Sequence, residues 1–267
     1  MEYCLHRLSN FALWAPVAIM VGMFATATPA GADEAGAKKL LKAMSDYLTK
    51  QSSFSFDYDA ALDVMTKDGQ RLALLSSGTV NLTRPGKLRA TRAGGFADIE
   101  IFFDGRTLTL LGKNDNQYTQ VDVPGNIEHL VDELREKYHR PLPASDLLLS
   151  NPYDELMKDV TDSKDLGSGV VGGVECDFLA FRKPEVDFQI WIAQGDKPYP
   201  CRFSVTSRKQ PGNPQYTVQL KNWKPGGGAD YSEYSFNNSS NAKKIDLKDL
   251  RDKLSDLPAH FKIGAKQ

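Results

Sequence analysis

The chain has 267 residues, with 33 basic against 34 acidic side chains and a net charge of −1 at neutral pH. A balance this close to zero excludes the long-range field with which proteins gather nucleic acid or an anionic membrane. The length is enough to bury a sizeable core, and no linker-like stretch divides it before Gly226-Gly227-Gly228.

The first 32 residues read as a signal peptide. Arg7 precedes a mostly apolar run over residues 11–24, and small residues follow, ending in Ala30-Gly31-Ala32. A run this short falls below the ~20 residues a membrane-spanning helix needs, and an A-x-A pattern suits cleavage. Cys4 stands before the apolar run, the wrong place for a lipidated N-terminus. The expectation is export to the periplasm and a single mature domain over residues 33–267, in which 226–267 is a less ordered extension.

The mature part opens on a helix. Leu40, Leu41, Met44, Tyr47 and Leu48 recur at helical spacing, with lysines on the opposite side. Then comes the clearest alternation in the chain: Phe54, Phe56, Tyr58, Ala60, Leu62 and Val64 share one face of a strand, and Ser53, Ser55, Asp57, Asp59 and Asp63 the other. Three aspartates on one face suit either a hard cation or a solvated surface that discourages edge aggregation. After a turn at Asp68-Gly69, Leu72, Leu74, Val80 and Leu82 continue the dry face.

Residues 76–120 read as four or five short strands. Turn signals separate them at Arg84-Pro85-Gly86, Gly94-Gly95, Asp104-Gly105 and Asn114-Asp115-Asn116. A helical interlude follows over residues 124–159. Ile127, Leu130, Val131 and Leu134 keep helical spacing until Pro141-Leu142-Pro143 stops them. A second short helix starts near Ala144 and carries Leu147, Leu148 and Leu149, and Asn151-Pro152 interrupts it. A four-stranded meander is expected next. Its apolar alternations run through Cys176, Phe178 and Ala180, then Val186 to Ile192, then Phe203 and Val205, then Tyr216, Val218 and Leu220. The tail holds one more expected strand at Tyr234-Ser235-Phe236 and a polar helix from Leu247 to Leu254.

With Cys4 removed, Cys176 and Cys201 remain, an even number in an oxidising compartment. A bond between them would contribute roughly 3.5 kcal/mol by loop closure. Strands one and three of a flat meander lie about 10 Å apart, however, beyond the ~7 Å a disulfide tolerates. A loop folding over the intervening strand would remove the objection, and two buried free thiols are the alternative. No catalytic pattern stands out. His129, His139 and His260 lack metal-ligand spacing, Gly167-Ser168-Gly169 is too short for a nucleophile elbow, and a C-x-x-C pair is absent. Neither an enzyme activity nor a cofactor is expected.

Arg84-Pro85 followed by Leu88-Arg89, then Asp104-Gly105-x-Thr107-Leu108 and a downstream Gln120, resembles the central pattern of the LolA/LolB lipoprotein-carrier superfamily. Over roughly residues 35–223 the chain resembles more closely a family of predicted periplasmic proteins of unknown function near LolA. The resemblance implies a mainly β fold, a strongly curved antiparallel sheet forming an open half-barrel, with helices packed on its concave face as a lid. It also implies that the arginine of the R-P motif, here Arg84, bonds to the lid and holds an empty cavity closed; capping a turn is the other role open to it. The cysteine pair, the long helical insert and the Gly-rich tail depart from the LolA pattern and separate the fold from lipoprotein transfer itself.

A sheet with one dry face must cover it, and the mid-chain helices offer apolar stripes for that purpose. The expected ligand-binding surface is therefore Phe54, Phe56, Tyr58, Leu62, Val80, Leu82 and Leu88 on the sheet, with Leu134 and Leu147 from the helices. Loose coverage leaves a pocket for the acyl chain of a lipid or lipidated protein, and tight coverage an ordinary core. Three functions stay open: a non-catalytic periplasmic binder or carrier, an RseB-like envelope sensor or scaffold that binds a protein partner, and, against the expectation above, an enzyme with an unrecognised site.

Overall fold

A computed structural model describes residues 34–247 apart from 67, 96, 138–143 and 227–232. The expected signal peptide, His139, His260 and nearly all of the expected C-terminal helix lie outside the described residues. Helix α1 (Glu34–Thr49) leads into six strands, β1 (Ser53–Met65), β2 (Arg71–Thr83), β3 (Lys87–Gly94), β4 (Asp98–Phe103), β5 (Thr107–Gly112) and β6 (Gln117–Asp122). A helical segment follows: α2 (Ile127–Asp132), a π-helical turn (Glu133–Lys137), a 3-10 turn (Ser145–Leu148) and α3 (Pro152–Met157). The second strand run is β7 (Asp162–Val171), β8 (Val174–Arg182), β9 (Val186–Ala193), β10 (Pro200–Ser207) and β11 (Gln215–Pro225), and a two-residue β12 (Lys243–Lys244) ends the description.

Among the described residues, twelve strands form one sheet in the order β12-β6-β5-β4-β3-β2-β1-β11-β10-β9-β8-β7, antiparallel except where β12 joins β6. The edges β12 and β7 do not pair, so the sheet is an open half-barrel. At its centre β1 pairs with β2 on one side and β11 on the other. The β1–β2 pair keeps the expected alternation, with Phe54 opposite Leu82 and Phe56 opposite Val80. The concave face carries one core from β5 across the sheet to β8, closed by Ala37, Leu41, Met44 and Leu48 of α1 and by the leucines of the helical segment. Helix α1 packs on β7, β8 and β9.

Four elements differ from the sequence-based expectation. Strand β7 adds a fifth strand ahead of the expected four-stranded meander. Asn151-Pro152 starts a helix instead of interrupting one: the Asn151 side chain accepts from Asp154 N–H and Pro152 takes the first turn, where its absent N–H costs nothing. Strand β8 buries Leu179 and Phe181 on the concave side, while Cys176 and Phe178 face the convex side, where Phe178 stacks on Trp191 at 4.4 Å. Tyr234-Ser235-Phe236 is not a strand. Tyr234 is buried with its hydroxyl 2.7 Å from Thr83 Oγ1, and Phe236 packs on Phe102 and Tyr118 of the convex face.

Candidate functional site

The sheet residues expected to line a cavity come together on the concave face. Phe54, Phe56, Val80, Leu82 and Leu88 are buried there, joined from the helical segment by Leu134 and Leu147. The space is filled: Leu82 and three α1 residues, Ala37, Leu41 and Met44, are 0% exposed. Tyr58 is half-buried, and its hydroxyl donates to Thr91 O at 2.9 Å through a gap left by Gly78, opposite it in β2. A Cβ at Gly78 would meet Thr91 O at 1.9 Å. Leu62, farther along β1, is half-buried opposite Tyr216 and Leu74.

Trp223, which the alternation did not single out, occupies the middle of this site. Inward positions on β11 run Tyr216, Val218, Leu220, which would send Trp223 outward. A bulge intervenes: Ser55 pairs Lys224 and Asp57 pairs Lys221, so two β11 residues oppose Phe56 alone. Asn222 takes the left-handed conformation (φ 53°) and its amide donates to Asp57 at 2.6 Å. The extra residue inverts the faces beyond it. Trp223 thereby stacks on Phe54 at 4.9 Å, Phe56 at 5.9 Å and Tyr199 at 5.5 Å, and its indole N–H donates to the Tyr47 hydroxyl at 3.2 Å. An asparagine preceding an aromatic near a strand end was the only sequence signal.

The Phe54 end of this aromatic column meets Arg84, whose guanidinium lies 5.8 Å from the ring centre. Arg84 also reaches the helical segment, donating to Leu148 O at 3.1 Å and Leu149 O at 2.9 Å. Its placement follows from the turn motifs. Asp104 accepts from the N–H groups of Arg106 and Thr107 and so fixes the Asp104-Gly105 turn. Gly105 O then accepts from Gly125 N–H, and Pro85 O from Ile127 N–H, seating the start of α2 against the Arg84-Pro85-Gly86 turn. A Cβ at Gly86 would lie 2.6 Å from Gly125 O, so this backbone-to-backbone seat requires glycine.

Residues 144–157 therefore form a strap across the concave face, with Leu147 and Leu156 in the core and a set of polar contacts along its length. Ser150 N–H donates to Glu128 at 2.6 Å, Thr49 donates to Ser150 O at 2.9 Å, Tyr153 N–H to Ser45 at 3.0 Å and Lys183 to Glu155 O at 3.1 Å. Arg135 pairs with Asp146 and Glu155 at 3.2 and 3.4 Å. Burial draws Arg84 below its usual pKa, and Glu128 pushes it back up. Burial pushes the Glu128 carboxyl up, but the Ser150 hydrogen bonds and the Arg84 charge outweigh it, leaving it below the ordinary 4.5. Arg84 Nε is buried without a partner among the described residues, so the latch is incompletely satisfied. Beside the strap lies an open cleft of about 610 Å³ whose wall includes Glu128, Ser150, Asp154, Glu155 and Lys158.

The remaining candidates have local partners. Asp57 accepts from Asn222, Asp59 from Ser77 and Lys221, and Asp63 from Gln215 N–H. His129 is the first-turn residue whose N–H is capped by Asn126. Cys176 and Cys201 are free thiols, buried together with Ala193 in a small cluster on the convex side.

A family model described as "Predicted periplasmic protein (DUF2092)" matches residues 37–248. No curated protein sequence matches the chain. Among solved structures, the chain is similar to lipoprotein LppX of Mycobacterium tuberculosis, at 12% identity over 74% of this chain and 100% of that one, TM-score 0.47. It is also similar to the Pseudomonas aeruginosa MucA/MucB complex structure, at 14% identity over 79% and 64%, TM-score 0.44. A LolA superfamily protein of Nitrosomonas europaea aligns at 11% identity over 75% and 97%, TM-score 0.35. At such values, what those proteins bind stays a property of those proteins.

Proposed function

We propose, on the premise that this chain belongs to the family of predicted periplasmic proteins DUF2092, that it is a non-catalytic binder of an apolar guest, the acyl chain of a lipid or lipidated protein. The observation that carries the proposal is the strap: an apolar underside laid on an apolar sheet, fastened at its middle by Arg84 on the carbonyls of Leu148 and Leu149. Its two helical pieces, of four and six residues, are far below the ~12–15 residues at which an isolated helix becomes even marginally stable. Their shape thus depends on the latching contacts, and releasing those contacts exposes Leu82, Leu88 and Phe54 together. A guest replaces the strap leucines on the sheet at about 0.8 kcal/mol per buried methylene. The filled core is the closed, empty state in this reading. The head group of the guest stays in solvent, which fits the near-zero net charge.

A second reading, a sensor or scaffold for an envelope protein, is favoured by the open cleft beside the strap, whose wall carries Glu128, Asp154 and Glu155 beside Lys158. One experiment separates the two. The protein is purified from the envelope and weighed by native mass spectrometry before and after organic extraction, then titrated with a fluorescent fatty acid. Extractable lipid and micromolar fatty-acid binding support the first reading. Neither lipid nor fatty acid, with a protein co-purifying in fixed ratio, supports the second.

A further inference from the structure

At the end of the aromatic column away from Arg84, Tyr199 stacks parallel on Trp223 and lies beside the Cys201 thiol. Cys201 sits in a bulge, since Pro200 pairs Ile192 and Arg202 pairs Trp191, leaving it without a partner of its own in β9. Cys176, on β8, is opposite Ala193, the last residue of β9. The β9 residue between the two cysteines is thus an alanine, and Cys176, Ala193 and Cys201 pack in one buried cluster. Both thiols are buried, and that cluster places the two cysteines on the same side of the sheet around Ala193. The bulge places Cys201 off the regular register on which the flat-sheet separation rests.

We propose that Cys176 and Cys201 are a disulfide-forming site, and that their bond fastens the loop of residues 194–200, with Tyr199, over Trp223. The column then has one covalently fixed end and one hydrogen-bonded end that opens. The inference does not depend on what guest the site takes. The bond forms by exchange with a donor disulfide, glutathione disulfide or an oxidised dithiol protein. One cysteine thiolate attacks a donor sulfur and releases the first donor thiol; the second attacks the mixed disulfide and releases the other. Two protons end on the donor thiols, and the donor gains two electrons. Burial pushes both thiols up from their ordinary value, so thiolate is scarce once the fold closes. Exchange belongs to folding, and the finished bond is shielded from reductants.

The test uses the full chain exported by its own leader, denatured in N-ethylmaleimide without reductant and digested. A peptide joining Cys176 to Cys201, lighter by two hydrogens than its reduced parts, is expected. Alkylation of both residues, or a link to Cys4 or to a second chain, overturns the proposal. Hydrogen exchange then compares oxidised protein, reduced protein and a Cys176→Ala/Cys201→Ala variant. Exchange over residues 194–200 should be about tenfold faster without the bond, with 144–157 unchanged. Equal exchange in the oxidised and reduced wild type overturns the fastening role even if the double variant does not fold.

Discussion

Arg84 and Leu149, 65 residues apart in the chain, are joined by a guanidinium-to-carbonyl hydrogen bond of 2.9 Å. With the bond to Leu148 beside it, the contact ties a strand-end turn to the strap that covers the core. Replacing Arg84 by Leu removes two charge-assisted hydrogen bonds, worth about 2 kcal/mol together with the unmet carbonyls they leave. Exchange over residues 144–158 should accelerate while the sheet stays protected. Unaltered exchange there would reduce Arg84 to a turn residue. Lysine should restore little, because a single ammonium cannot span both carbonyls as the planar fork does.

Acid should loosen the same strap. The Glu128 carboxyl is held below its ordinary value, so the ionised form is the one the fold favours. Its contribution is complete above about 4.5, the ordinary value, and is lost as pH falls through the lower folded value. Strap exchange, corrected for the intrinsic pH dependence, should rise on acidification through that window. In Glu128→Gln the added sensitivity should vanish. A variant that titrates like the wild type would exclude Glu128 as the cause.

Trp223→Ala should destabilise the fold by about 3–5 kcal/mol, since a large ring stacked on three others leaves a cavity that the strands cannot close. Denaturant unfolding measures it. A loss under about 1 kcal/mol would mean that the ring is peripheral. Trp223→Phe should recover most of the packing but not the bond to Tyr47.

Gly78→Ala tests the wall of the site. A methyl 1.9 Å from Thr91 O forces β2 and β3 apart, at a cost of about 3 kcal/mol. Tyr58→Phe, which only removes the hydroxyl bonded to Thr91 O, should cost about 1 kcal/mol. Comparable losses from both would contradict the close approach at Gly78.

The strands on either side of β1 were legible in the sequence because one dry face repeats through Phe54, Phe56, Val80 and Leu82. The turn motifs also marked the right corners, although nothing local shows that Gly86, Gly105 and Gly125 meet. Where alternation misled, the cause was a second apolar face or a shifted register. Cys176 and Phe178 read as the dry side of β8 because Trp191 gives them cover on the convex side. Trp223 was hidden by one extra residue at Asn222. The expected cavity could not be told from a filled core, because the same leucines and phenylalanines build both.

The central position of β1 also governs how the chain folds. Phe54 finds Pro225 as its neighbour across the seam, so the sheet is completed only after β11 has been delivered. Until then β1 to β6 form a meander of near-neighbour contacts with a long, open edge along β1. Contacts this distant in sequence are slow to form, and an unpaired edge of alternating phenylalanines invites pairing with other chains. The bare edge of β1 is thus the aggregation hazard of the half-made protein, and mutations that delay β11 should lower yield more than they lower the stability of the finished fold.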